Sequence, residues 1–299
     1  MDKRLSRWIA GGALVVIIAG ATGGGLAAGS TATGRVRCGF NTTRSNGDLK
    51  VVGLTSDQHL ICFKSNNPRN TRTIGPVKGL VGDTAMVGID FRAANGVLYG
   101  VGDAGGIYTI SVRTARATKV SQLSVALDGT SFGVDFNPAA DRLRIISDTG
   151  QNLRHDVTTP AGPTLVDGTL SYPPVAPPAL GVTGAAYTNN DQNLDTVTTL
   201  FDLDSMMDQV ATQSPANSGQ LAPTGKLGVD ATAEVSVEIY TDVRGNSAVA
   251  NYGFATLREA SGLRTGFYIL DPLTGRARLV DGFRSMDRVI AISTPLNQW

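Results

Sequence analysis

The sequence predicts an all-β chain, a β-propeller of five four-stranded blades closed by its C-terminal strand. Three observations predict it. First, residues 87–120 and 132–165 align without a gap at an offset of 45. Gly88, Asp90, Phe91, Ala94, Leu98, Asp103, Gly105, Val112 and Thr114 match Gly133, Asp135, Phe136, Ala139, Leu143, Asp148, Gly150, Val157 and Thr159. Second, three strand-like runs near the N-terminus lack an opening strand, while one run near the C-terminus has no blade after it. Joined, they make one unit. Third, 36 glycines with only 6% aromatic and 17% charged residues suit many short strands and tight turns. Four-stranded units repeating every 45 to 50 residues are the mark of a propeller.

The chain begins with Lys3, Arg4 and Arg7, an apolar run over residues 8–21, and small residues to Ser30. This order is that of a secretory signal. About 14 apolar residues is short of the roughly 20 that a spanning helix needs. Residues 1–29 are therefore expected to be a cleaved signal peptide or, if uncleaved, an N-terminal anchor through residues 8–28. That run is the only expected membrane contact. Residues 30–48 read as a polar linker and 49–299 as the propeller domain. Cys38 lies in the linker and Cys62 in the apolar run 60–63. Two cysteines in an exported chain make a candidate disulfide; the alternative is a buried thiol at Cys62 with Cys38 unpaired.

Blade one is predicted from strands over 51–55, 60–64 and 71–77, closed by 288–293. The first repeat gives strands over 88–92, 97–101, 106–112 and 117–123, turned at Asn95-Gly96 and Ala104-Gly105-Gly106. The second gives 133–137, 142–147, 152–157 and 163–167. A weaker copy has 182–188, 198–204 and 220–227, with an insertion over 189–197. The last has 235–241, 247–252, 266–270 and 277–281, with Gly245-Asn246 as its first turn. A six-bladed ring with a blade hidden in 189–215, or a sandwich, is the alternative. A sandwich gives no reason for a 45-residue repeat.

The runs GVDFNPAADRLRIISDTGQNLR (133–154), VTGAAYTNN (182–190), TTLFDLD (198–204) and GFYILDPLTGRA (266–277) resemble an exported bacterial family, domain of unknown function 4394. The resemblance extends over about 51–293. It implies a propeller-like fold and export, and it implies no activity.

Three groups of side chains are candidates for function. Asp90, Asp135 and Glu238 hold equivalent places on three opening strands, where Ala186 and Ala291 stand in the other two. Opening strands line a propeller's channel, so the three acids can form a ring that binds a cation such as Ca²⁺. Equally, each can bond the backbone or an Arg of the neighbouring blade, because a buried carboxylate needs a partner. Arg142 and Arg144 share one face of a strand and can grip an anion, or pair with Asp135, Asp141 or Asp148. Gln151, Asn152 and Arg154 follow the Gly150 turn and can read a ligand or satisfy a loop. With Asn137, the last five residues make the candidate ligand set.

Net charge is +1, and no basic, aromatic-rich stretch suggests nucleic acid. No GxSxG elbow or phosphate-binding glycine loop occurs. His59 and His155, the only two histidines, fall in different blades, which leaves no catalytic triad to argue from spacing. The expectation is a monomeric, secreted or cell-surface, non-catalytic scaffold without a cofactor, binding a surface ligand or protein. The alternative is a divalent-cation-dependent, lactonase-like hydrolase using the channel carboxylates.

Overall fold

The inner strands of each sheet are largely buried on both faces, and each face packs on a different neighbour, while the outermost strands are more exposed. Val51 and Phe63 point one way from their sheet, Val52 and Leu60 the other. The computed structural model describes residues 8–9, 38, 48–174, 177–193, 195–262, 264–284 and 287–298, and these form five antiparallel sheets set in a ring. The core is accordingly divided into five clusters, one at each seam between successive blades.

Blade one comprises Lys50–Thr55, His59–Lys64 and Asn67–Pro76, with Val289–Ser293 as its innermost strand. Val289–Ser293 runs antiparallel to Lys50–Thr55, with Val52 opposite Ser293 and Leu54 opposite Ala291. The ring is thus closed by the C-terminal strand, which removes two open sheet edges. At the closing seam, Phe63 packs edge-on against Phe267 and Phe283, with ring centroids 5.2 and 5.0 Å apart.

Blade two comprises Met86–Phe91, Leu98–Gly102, Gly106–Ile110 and Ala117–Gln122. Blade three comprises Phe132–Asn137, Arg142–Ser147, Asn152–His155 and Thr164–Val166. These are the two repeats, and they share a clamp. Asp103 accepts bonds from the Thr84 amide and hydroxyl, and Asp148 does the same for Thr130. The matched Asp of each second turn therefore holds down the loop that enters its own blade.

Blade four comprises Val182–Tyr187, Leu200–Asp204, Gln209–Gln213 and Leu221–Lys226. The alternation does not mark Gln209–Gln213, because its ends are polar. It supplies the missing third strand, so residues 189–215 hold no sixth blade. Blade five comprises Ala231–Arg244, Ser247–Glu259, Thr265–Leu270 and Ala277–Gly282. Its first hairpin is far longer than the repeat suggests. Gly245 and Asn246 turn it with φ of 57° and 68°, the two positive values of a type I′ turn. The two-residue strand Trp8–Ile9 pairs antiparallel with Asn251 and Ala250 of this sheet.

Cys38 and Cys62 are joined by a disulfide with Cα atoms 6.4 Å apart. The rest of the expected signal and linker, apart from Trp8, Ile9, Cys38 and Asp48, lies outside the described residues. Among the described residues no helix is long and apolar enough to cross a membrane.

A Cβ on Gly133 would lie 2.8 Å from the Ala185 amide nitrogen and 2.9 Å from the Gly184 carbonyl carbon. Only a glycine lets the innermost strands of blades three and four approach this closely. Gly133→Ala should lower stability by about 1–3 kcal/mol, the usual cost of overpacking, as read by denaturant unfolding. Replacing both cysteines by serine should cost on the order of 3 kcal/mol for a closed loop of this length, and a reductant should mimic it in the wild type. An unchanged unfolding midpoint would contradict either expectation.

Candidate functional site

The innermost strands converge on a channel, and near its far end lie Asp90, Asp135 and Glu238. One carboxylate oxygen of each lies within 4.8 Å of the other two. All three are buried, at 5%, 3% and 3% exposure. They also stitch the ring. Asp90 accepts the Phe136 amide of blade three at 2.8 Å, and Asp135 accepts the Tyr187 amide of blade four at 2.7 Å. Glu238 of blade five accepts the Thr294 amide at 3.2 Å and its hydroxyl at 2.5 Å, just past the closing strand. The Ser293 hydroxyl donates to the other Asp90 oxygen at 2.8 Å. The two arrangements expected for these acids thus coexist: they converge, and each bonds backbone across a seam.

Among the described residues no Lys or Arg forms an ion pair with these acids. Burial therefore dominates their ionisation. It pushes Asp90 up to about 6, against hydrogen bonds from Phe136, Ser293 and Phe91 that favour the anion. Asp135 is pushed well above the carboxylate range by burial and by the charges of Asp90 and Glu238. Glu238 is pushed well above it by burial and by Asp90. Three acids this close can share protons or hold one hard cation, whose ligand distances of about 2.3–2.6 Å suit oxygens this far apart.

The far end of the channel is covered by residues 189–193. Asn190 donates to the Ile239 carbonyl, and Asn193 donates to Ser247 on the long hairpin of blade five. Asp191 accepts the Ala248 amide at 2.7 Å. Gln192 donates to the Ala93 carbonyl at 3.0 Å. Ala93 belongs to blade two, which is not adjacent to blade four, so this bond spans the channel end. The unexpected length of the blade-five hairpin is what gives the insertion its support.

The other end is open. A cavity of about 320 Å³ is lined by Gln58, Met86, Val87, Thr130, Ser131, Phe132, Glu234, Val235 and Ile290, where the innermost strands begin. Deeper, at the level of Gly88, Gly133 and Gly184, lies a cavity of only about 10 Å³, the space of a single water. The mouth residues were missed by sequence reasoning. They lie at loop ends, where no periodicity marks them.

The six candidate ligand residues do not form one site. Arg144 is almost wholly buried between blades three and four. It donates to Asp167 at 2.5 Å, Asn152 at 2.6 Å, Asn217 at 2.8 Å and the Tyr187 hydroxyl at 3.3 Å. Asn152 donates to the Gly168 and Ala216 carbonyls. Arg154 shares Asp167 with Arg144. Arg142 pairs instead with Asp156 at 3.0 Å, while Asp141 takes Arg92 of blade two. Asn137 accepts the Ala139 and Ala140 amides of its own turn. Gln151 bridges the Asp128 amide and the Ala126 carbonyl. Every one of the six has polar atoms engaged within the fold. His155 is fully buried between the hydroxyls of Ser121 at 2.8 Å and Thr164 at 3.0 Å, out of reach of any substrate.

The model of the family called domain of unknown function (DUF4394) matches residues 59–293. The chain belongs to that family. No protein of curated function matches the sequence. Among solved structures, a chain of a nidogen/laminin complex is similar at 9% identity and TM-score 0.46, over 85% of this chain and 100% of that one. A protein from Lactobacillus plantarum is similar at 11% identity and TM-score 0.42, over 83% and 99%. An auxiliary nutrient binding protein from Bacteroides ovatus is similar at 14% identity and TM-score 0.43, over 71% of this chain and 54% of that one. At these scores the likenesses carry no conclusion about ligands.

The carboxylate cluster makes stability depend on pH in a defined direction. A folded-state pKa above the unfolded value means that the native state keeps protons the unfolded chain has released. The stabilisation is full below the unfolded value near 4 and is lost as pH rises through about 6 for Asp90 and further for its partners. In metal-free buffer, thermal unfolding should shift to lower temperature over that window. Asp135→Asn, which keeps an acceptor for the Tyr187 amide, should flatten the decline. A wild-type profile indistinguishable from that of the variant would contradict the coupling.

Proposed function

We propose that this chain is an exported, monomeric, non-catalytic binding propeller whose ligand enters the open channel mouth. The observation that carries this reading is the contrast between the two ends. A cavity of about 320 Å³ opens on one face, whereas the other is covered by residues 189–193. Ligand sites are typically concavities of roughly 300–1,000 Å³ with apolar walls and a few placed polar groups. The mouth matches, with Phe132, Val235 and Ile290 beside Gln58, Ser131 and Glu234. Export is supported by the basic, apolar and small-residue order of residues 3–30 and by the Cys38–Cys62 bond.

The convergence of Asp90, Asp135 and Glu238 favours a second reading, a cation-dependent hydrolase of the lactonase kind. The donor set suits a hard cation such as Ca²⁺. A hydrolytic metal, however, must keep a position open to substrate and water. Here the cavity between the mouth and the level of the acids is only about 10 Å³, and each acid already accepts a backbone amide. A cation at this depth would tie blades together; it would not reach a substrate.

A screen of a chemically diverse small-molecule library by thermal shift distinguishes the readings. Ligands should raise the unfolding temperature of the wild type, and Ser131→Trp, which fills the mouth, should abolish their effect. Ca²⁺ should stabilise the wild type more than Asp135→Asn, without any lactone hydrolysis. Hits that survive Ser131→Trp would overturn the mouth as the site. Ca²⁺-dependent lactone turnover lost in Asp135→Asn would establish the hydrolase.

A further inference from the structure

Beside the mouth lies a second cleft, of about 590 Å³, lined by Thr232, Arg258, Glu259, Gly262 and Arg288. Ala233 and Glu234 line both cavities, so the two adjoin along one wall. Glu234 is the centre of this wall. Arg288 donates to both its oxygens through Nε and Nη2, and Arg258 donates to it through Nη1 at 3.1 Å. The side chains remain reachable, at 29% exposure for Glu234, 25% for Arg258 and 46% for Arg288. Glu259 is held by the Tyr268 hydroxyl at 2.6 Å.

These charges decide the ligand class. Two arginines face two glutamates, so the cleft has no net charge to attract an ion. An anion would meet the carboxylates of Glu234 and Glu259 beside the arginines, and a cation would meet both guanidinium groups. What the wall does offer is planar, mutually fixed donors and acceptors. The bonds to Glu234 engage two N–H groups of Arg288 and one of Arg258, out of five on each guanidinium. A vicinal pair of hydroxyls donates and accepts at once, and it fits such an edge without disturbing the ion pairs. Phe132, Val235 and Ile290 in the mouth give an apolar floor for the C–H face of a ring. Two adjoining cavities of this size give room for more than one ring.

We propose that the mouth and the adjoining cleft at Glu234–Arg258–Arg288 bind a neutral carbohydrate chain. This rests on the reading of the mouth as a ligand site and names its ligand. Calorimetric titration of the whole chain with cellohexaose, xylohexaose, mannohexaose and maltohexaose tests it. At least one should bind, and raising NaCl to 0.5 M should change its affinity by no more than about twofold, as suits an uncharged ligand. Glu234→Gln and Arg258→Met should each weaken it by tenfold or more while the unfolding temperature stays near that of the wild type. Binding by none of the four, or binding indifferent to both variants, overturns the proposal. Tight binding of inorganic phosphate or an acidic peptide that collapses with salt overturns it in favour of an anion. If the sugars fail while small-molecule hits remain sensitive to Ser131→Trp, the mouth is still a binding site and only the carbohydrate assignment falls.

Discussion

The molecule depends on a set of hydrogen bonds that cross the seams near the channel axis. Asp90 holds the amide of Phe136, Asp135 that of Tyr187, and Glu238 that of Thr294. Each bond ties the innermost strand of one blade to the next innermost strand, and the last one captures the chain just after the closing strand. Apolar packing between blades is non-directional and fills each seam without fixing its register. The carboxylates supply direction. Their cost is the crowding of three acids in a buried site, which lifts all three out of the ordinary carboxylate range.

The same economy explains why the densest polar stretch of the sequence is largely engaged within the fold. Arg144, Asn152, Arg154 and Asp167 form one network, buried around Arg144, that fastens blade three to Asn217 and Tyr187 of blade four. A buried guanidinium needs its donors satisfied, and this network does so. The open mouth lies instead at the loops where innermost strands begin. A rigid ring that displays its loops at one open mouth is a common way to separate stability from recognition.

Much of the fold was legible because the inner strands are apolar on both faces and because blades two and three kept matching residues. The aligned Gly88 and Gly133, Asp90 and Asp135, and Asp103 and Asp148 each perform the same task in both copies. Blade four was harder. Gln209 and Gln213 put polar ends on a buried strand, and Gln213 is only 2% exposed. The long blade-five hairpin was undercounted because nothing in the alternation past Tyr252 marks where a repeat-length strand should stop. At the site, the three acids were recognisable by their equivalent positions. Ser293 and Thr294 were not, since they acquire their role only when the chain end returns to the first blade. Glu234, Arg258 and Arg288 come from three separate segments, and no spacing along the chain could have joined them.

The central claim is that Asp90, Asp135 and Glu238 act as one coupled, buried unit that stitches the ring. Site-resolved ¹³C NMR titration of the carboxyl groups in metal-free protein tests it most directly. The account requires Asp90 to titrate near 6, with Asp135 and Glu238 also raised and each responding to protonation of the others. Three independent titrations near the ordinary value of about 4 would contradict it.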